Sequence, residues 1–558
     1  MLLARATRRR TLPHEVSLGE PPRRMAFLAL LGAGLGVVGG LAAFVVVRLV
    51  ALLSNLALLH RVAFSLPDLA HYRPGAVLVP VALGGAVAVV ALARWTPVIR
   101  GHGIPESLEA VVQRDSCIRP RVLVAKPLSA AVAMGTGGPF GAEGPIIVTG
   151  GCVGSLLGQW LRVSSAERRI LLATGAAAGM AGVFATPVAA VVLAFELLVF
   201  ERSLRALLPL LFATAIATEL HAVLLGSQPL FAVTRPLAVP PVLLPLFLPL
   251  GVAVGLLAIV VNRGLFAVEA GFRRLPVPDA LHPLLGALGF ALVGLAVPGS
   301  LSVGYWAISD AVNDRFLVGT AAVLCVAKLV SWWVSLASNT SGGTLAPIFL
   351  VGATMGETIG IGFAHLFPSA HVEPAAFAVV AMGASFGVSA RALLTGGVFA
   401  LEVTGASHLV VPMLLVLGVA EVVAERALPD RLMTEKLVRR GYRIDFDTEA
   451  DPFRTAVAGQ LMEPLPVDAD APCGPSVERL AYARDALVVL LADGADAVTV
   501  TDGGKPVGVL RREALRGLLA RRIAESELQE PRLGRPLPVG RPEQDGAAST
   551  GRGGCAPP

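Results

Sequence analysis

Three short segments share one order of residues: glycine-rich backbone, then proline, then an apolar or helical run. They are Gly101-His102-Gly103-Ile104-Pro105-Glu106, Gly141-Ala142-Glu143-Gly144-Pro145 and Gly342-Gly343-Thr344-Leu345-Ala346-Pro347. Proline suits the first turn of a helix, where its missing N–H would be unpaired anyway. Glycine lets the preceding backbone bend tightly and come close to a ligand. Each segment therefore predicts a helix N-terminus, which exposes free N–H groups and carries about half a positive charge. Such ends attract anions. Several aimed at one cavity would hold an anion without a full cationic side chain, and weakly enough to release it. Close helix packing accounts for glycine but not for the repeated step from glycine to proline.

Glu143 is the most informative residue. It is a carboxylate in an apolar stretch at one of these predicted N-termini. Ionisable groups at membrane depth are costly and default to function. Ionised, Glu143 would occupy the N–H-lined anion site as a tethered competitor. Protonated, it would lose that attraction and swing away, which is a proton-operated gate. The structural alternative is a glutamate that only pairs with its helix dipole.

The elements that position these groups lie in a membrane. Of 558 residues, 54% are hydrophobic and 15% charged, against roughly 25% charged in an average soluble domain. A disordered chain is excluded and a soluble globular one is disfavoured. The 60 Gly and 41 Pro are unusual for plain spanning helices. A span needs roughly 20 apolar residues, and apolar runs follow one another from Met25 to about Leu428, the first over Ala26 to about Leu59. The chain divides into a basic N-terminus (1–25), a polytopic membrane domain (26–441), a polar linker (442–455), a small α/β unit (456–523) and a disordered tail (524–558). Within the small unit, 476–484 and 511–521 have helical character, and 497–501 and 506–510 read as strands around Asp502-Gly503-Gly504. The five cysteines lack metal spacing and read as small apolar residues or free thiols. Arg5, Arg8, Arg9, Arg10, Arg23 and Arg24 precede the first span, and Arg426, Arg431, Lys436, Arg439 and Arg440 follow the last. Both ends are therefore expected in the cytoplasm, with topology rather than nucleic acid as the reason for the charge.

The membrane domain repeats internally. At an offset of 202 residues, Ala125-Lys126 matches Ala327-Lys328, Ser129 matches Ser331, Gly141 matches Gly343, and Pro145 matches Pro347. Glu196 and Glu402 sit in similar places in the runs LAFELL and FALEVT. Internal repeats of this kind are typical of transporters, with the site at the repeat interface.

The order GxGIP, GxEGP and GGxxAP, in repeat-related places over about 26–441, resembles the CLC family of chloride channels and chloride/proton antiporters. The resemblance implies an all-α membrane domain of two inverted repeats with broken, re-entrant helices. It implies a homodimer with a pore in each subunit and Glu143 as the external gating glutamate. Chloride is then the transported ligand, coordinated with help from the backbone N–H groups of Ile104, Thr344 and Leu345. Gly101, His102, Gly103, Pro105, Gly141, Gly144, Pro145 and Gly343 complete the anion path. Three departures matter. His102 stands where the family has a serine whose hydroxyl binds chloride; an imidazole can donate a hydrogen bond or carry charge below about pH 6.5, or be a loop histidine turned toward solvent or backbone. Met433 stands where a tyrosine hydroxyl is usual and has no donor. Ala142 replaces a common basic residue. The stretch 184–198 resembles the helix carrying the internal proton-transfer glutamate. Glu196 matches the structural glutamate there, but the proton position is Leu197, which relays no proton. Chloride passage is thus better supported than proton coupling, and the choice of channel or antiporter stays open.

Residues 456–523 resemble one CBS motif. Such motifs usually pair to bind adenine nucleotides, so a single copy is expected to serve packing or dimer stability rather than a nucleotide site, and no cofactor is expected. The setting is an integral membrane protein, read as bacterial plasma membrane. A secondary transporter of another anion is the alternative. An intramembrane enzyme using Glu143 and His102 as acid and base is less favoured, because no HExxH motif or GxSxG-centred triad is present.

Overall fold

The structure, a computed structural model, describes residues 22–199, 203–428, 431–433, 435, 458–465, 474–479, 481 and 483–517. The expected linker 442–455, the tail 524–558 and the arginines before Pro22 lie outside the described residues. Contacts divide the chain into two units, Met1–Ile444 and Asp445–Pro558.

The first unit is helical. Its first half runs through α1 (Pro22–Leu59), α2 (Leu78–Trp95), α3 (Ile104–Gln113), α4 (Arg121–Gly135), α5 (Glu143–Trp160), α6 (Ser165–Phe184), α7 (Pro187–Leu193) and α8 (Leu204–Leu224). Its second half runs through α9 (Phe247–Arg274), α10 (His282–Ala296), α11 (Tyr305–Ala311), α12 (Val318–Ala337), α13 (Leu345–Leu366), α14 (Pro374–Ala390), α15 (Leu393–Thr404) and α16 (Val410–Glu425). Among the described residues, eight helices are long and apolar enough to cross a membrane. At 1.5 Å per residue, α1 is about 57 Å long, well beyond a hydrocarbon core of about 30 Å.

The halves repeat each other in packing as well as in sequence. Helix α5 packs on α6 as α13 packs on α14; α1 packs on α8 as α9 on α16; α2 packs on α4 as α10 on α12. Both α6 and α14 end in a left-handed residue that is not glycine, Ala185 (φ 54°) and Arg391 (φ 57°). Small residues permit the closest contacts. Gly150 of α5 and Gly175 of α6 face each other's carbonyl oxygen so tightly that a Cβ on either would collide.

The matched elements run in opposite directions. The Glu196 carboxylate accepts from the backbone N–H groups of Leu394 (3.0 Å) and Thr395 (2.9 Å) at the start of α15. Glu402, near the end of α15, accepts from Val188 (3.0 Å) and Ala189 (2.7 Å) at the start of α7. Each carboxylate thus satisfies the free N–H groups that open the other repeat's helix. This reciprocity requires α7 and α15 to lie antiparallel about a pseudo-two-fold axis. The repeats are inverted.

The second unit is α/β. Helix α17 (Ala458–Leu461) precedes β1 (Glu463–Pro464) and β2 (Ser476–Glu478); α18 (Ala483–Ala492) then leads to β3 (Ala497–Asp502) and β4 (Lys505–Arg511). The sheet order is β1-β4-β3-β2, with β2 parallel to β3 and the other pairs antiparallel. The expected β3–β4 hairpin forms around Gly503 and Gly504, both at positive φ. Two expectations need correction. Residues 476–478 are strand, not helix, because β2 is held by pairing with β3. Arg511 ends β4, and helix begins at 512. The cysteine reading also changes: Cys152 and Cys325 are free, whereas Cys117 is disulfide-bonded.

Removing either reciprocal cap leaves two helix-opening N–H groups without their carboxylate. Glu196→Ala and Glu402→Ala are each expected to cost about 1–3 kcal/mol. Thermal unfolding of the detergent-solubilised protein should show a drop for each, the larger for Glu196→Ala, which also loses the bond from the Thr395 hydroxyl (2.6 Å).

Candidate anion site

The three Gly-to-Pro segments meet at the repeat interface. Each opens a helix where expected: α3 at Ile104, α5 at Glu143 and α13 at Leu345. Gly141 and its repeat mate Gly343 form an antiparallel bridge, N to O at 3.2 Å one way and 2.9 Å the other. The Gly101 N–H donates to Thr340 O (3.1 Å), and the Gly342 N–H donates to Gly101 O (3.4 Å). Non-helical backbone deep in a membrane protein must be satisfied this way or line a polar cavity. Here the loops pair with one another, which fixes the helix starts in a common place.

Two buried lysines hold the loop before α3 and its repeat mate, the loop before α11. Lys126 Nζ donates to Ile99 O and Gly101 O, both at 2.8 Å. Its repeat mate Lys328 donates to Ser300 O (3.1 Å) and Ser302 O (2.7 Å). Glycine is required on the path itself. Gly103 has φ +101°, and a Cβ there would strike the backbone of Gly144, while one on Gly144 would strike His102 O. The Glu106 carboxylate accepts from the Gly103 N–H, closing the first turn of α3.

Glu143 lies inside this cradle, 1% exposed. Its carboxylate lies near its own N–H at the start of α5 and that of Ala346 at the start of α13, and Oε2 makes no hydrogen bond among the described residues. The Tyr305 hydroxyl donates to Oε1 at 3.4 Å. A Cβ on Gly343 would sit 2.7 Å from Oε2, and one on Gly141 would overlap the carboxylate. The Glu143 carboxyl is therefore seated where two inverted helices point their N-termini, with the Tyr305 hydroxyl alongside. Such a seat suits any small anion of similar size.

Of the remaining expected site residues, Ile104, Thr344 and Leu345 are buried beside the helix starts they open. His102 is 2% exposed, so it is not a loop histidine turned to solvent. Met433 is fully buried in the turn after α16 and brings no donor. That turn is anchored by Arg431, which sequence charge counting treats as a flanking cation. Arg431 is buried instead, donating to Glu421 (2.6 and 2.7 Å), Glu425 (2.7 Å) and Val388 O (2.9 Å). Leu197 is fully buried in a π-helical turn, Ala194–Leu198, that extends α7. Such turns are frequent at functional sites, but this one offers no carboxylate at the proton position.

Tyr305 is the site residue that motif reading misses. The offset of 201 from Gly103-Ile104 to Gly304-Tyr305 is the signal that would have found it. Its ring stands edge-on to Phe231 (5.4 Å) and Phe184 (6.3 Å), and Phe184 stands edge-on to Phe399 (5.0 Å). An apolar aromatic wall thus backs the polar cradle.

With this geometry in hand, comparison with known proteins is direct. The family model for the voltage gated chloride channel matches residues 84–425. An H(+)/Cl(-) exchange transporter ClcA of Salmonella agona is 31% identical over 342 residues, 60% of this chain and 72% of that protein. The protein of the same description from Yersinia pestis bv. Antiqua (strain Angola) is 29% identical over 343 residues, 60% of this chain and 71% of its own length. The crystal structure of a slow cyanobacterial Cl-/H+ antiporter superposes with a TM-score of 0.66 at 28% identity, covering 76% of this chain and 99% of that one. A eukaryotic CLC transporter shares the fold, with a TM-score of 0.61 at 20% identity over 88% and 98% of the two chains. Inverted repeats, broken helices and matched sequence agree: this chain is an integral membrane protein of the voltage gated chloride channel (CLC) family.

Proposed function

We propose that this protein passes chloride across a bacterial plasma membrane, with Glu143 as the gate. The observation that carries the reading is the Glu143 carboxylate lodged against the N-terminus of α13, where the α5 and α13 starts converge. A carboxylate and a chloride are both monovalent anions that accept N–H bonds, so they compete for one seat. Protonation weakens the hold of the carboxylate and frees the seat. Backbone dipoles bind the ion loosely enough to let it leave. The buried His102, in place of the family serine, is the further donor we assign to the ion.

The working unit is a homodimer, as the family resemblance implies, with a path in each subunit. Exposed Val188, Leu204, Leu394 and Leu414 supply apolar surface that two copies would bury. Both termini are cytoplasmic, supported by the basic residues flanking the first and last spans. The α/β unit within residues 456–523 is a single CBS-like module that serves packing or dimer stability rather than nucleotide binding.

Two modes of transport fit this path. Buried Leu197 favours a channel, because no proton carrier stands at that position. The exchange activity in the names of the relatives favours coupled antiport, with water or another acid as inner carrier.

In liposomes loaded with chloride, the wild-type protein is expected to release it faster than empty vesicles. Glu143→Gln should abolish the pH dependence of that release. If neither protein exceeds empty vesicles, chloride passage is excluded. Under opposed proton and chloride gradients, a reversal potential at the chloride equilibrium value identifies a channel, and a displaced value identifies exchange. Gly343→Ala puts a methyl against Glu143 Oε2 and should cut chloride flux at least tenfold, about 1.4 kcal/mol or more, while the protein still elutes as a folded species.

A further inference from the structure

The inverted repeat supplies an internal control for surface charge. The loop between α3 and α4 and the loop between α11 and α12 are repeat mates, so they lie on opposite faces of the membrane domain. Residues 114–121 read RDSCIRPR, whereas residues 311–318 read AVNDRFLV. Around the second loop the nearby arginines are paired: Arg315 with Asp310 (3.0 Å), and Arg235 with Asp314 (3.1 Å) and Glu373 (3.3 Å). On the first face Arg119, Arg121 and Arg162 are exposed and, among the described residues, make no ion pair or side-chain hydrogen bond.

These arginines belong to one rigid surface. Ser155 Oγ of α5 donates to Ser116 O (2.6 Å) and accepts from the Ile118 N–H (3.0 Å). Gln159 Nε2 donates to Ile118 O (3.1 Å), and Arg168 Nε of α6 donates to Asp115 O (2.8 Å). The loop carrying Arg119 is therefore stitched to the end of α5, which carries Trp160 and Arg162. Trp160 is 79% exposed, and Trp95 at the end of α2 is 48% exposed. An exposed tryptophan at the end of an apolar helix marks the headgroup level of a bilayer. Arg162 lies two residues beyond that mark, at the depth of lipid phosphates. The matching α13–α14 corner on the other face, residues 365–374, carries His365, His371 and Glu373 but no arginine.

We propose that this face, centred on Arg119, Arg121, Trp160 and Arg162, is a docking surface for the anionic headgroups of bilayer phospholipids. The tryptophan fixes the depth, and the unpaired guanidiniums supply planar forks that match phosphate geometry. The surface is separate from the anion path, so it serves to seat or regulate the protein in its leaflet rather than to conduct.

Full-length protein is reconstituted in phosphatidylcholine bilayers containing either brominated phosphatidylglycerol or brominated phosphatidylcholine. The signal is the part of the tryptophan fluorescence that Trp160→Phe removes. Brominated phosphatidylglycerol is expected to quench it at a lower mole fraction, with a preference of roughly five-fold per arginine at low salt, shrinking as salt rises. The variant R119Q/R121Q/R162Q should lose the preference, while Arg315→Gln on the opposite face should keep it. Equal quenching by both lipids in the wild type overturns the proposal. So does a preference that survives in the triple variant or vanishes in Arg315→Gln. Complete displacement of the lipid by millimolar inorganic phosphate would mark a site for free anions instead and also overturn it.

Discussion

A carboxylate or chloride inside a membrane protein has no water to screen it, and a buried charge without partners costs several kcal/mol at least. The helix starts around Glu143 answer that constraint. Helices α5 and α13 begin at one point, because a helix start presents free N–H groups. Two broken helices then leave loop backbone that must itself be paired. The antiparallel bridge between Gly141 and Gly343 meets both needs: it satisfies the loops and aligns the helix starts. Because the bridged residues are repeat mates, the site lies on the pseudo-two-fold axis. Inversion is thus what brings two positive helix ends to one place from opposite sides.

The same symmetry recurs outward from the axis. Lys126 and Lys328 each clasp two carbonyls of the loop before a re-entrant helix. Glu196 and Glu402 each open the other's partner helix. Symmetry is broken where function is specific. Glu143 has no carboxylate mate, since Leu345 takes that place, and Tyr305 faces Ile104 as its counterpart. One repeat provides the competing anion and the other provides the groups that receive it.

Much of this was legible in the sequence because the signals are local. The Gly-to-Pro order marks helix starts within six residues, and the Lys and Glu matches betray the repeat. Long-range groups were not legible. Tyr305 reaches Glu143 only after two halves of the chain fold together, and nothing in its neighbourhood announces a hydroxyl donor. Arg431 looked like a topology signal because its partners Glu421 and Glu425 lie one loop back, and burial cannot be read from charge. The strand Ser476–Glu478 escaped for a related reason. Its short polar sequence has no strand periodicity, and its conformation is set by pairing with β3, some twenty residues away. The antiparallel sense of the repeats likewise rests on contacts between distant carboxylates and helix starts, not on any single motif.

The central claim is that the Glu143 carboxylate holds a seat that belongs to an anion. Bromide anomalous diffraction from crystals of wild type and Glu143→Gln, soaked in the same bromide concentration, tests it most directly. The expected result is a strong bromide peak within hydrogen-bonding distance of the Ala346 N–H in the variant and a weak or missing peak there in the wild type. Equal peaks at that position in both proteins, or none in the variant, would contradict the claim.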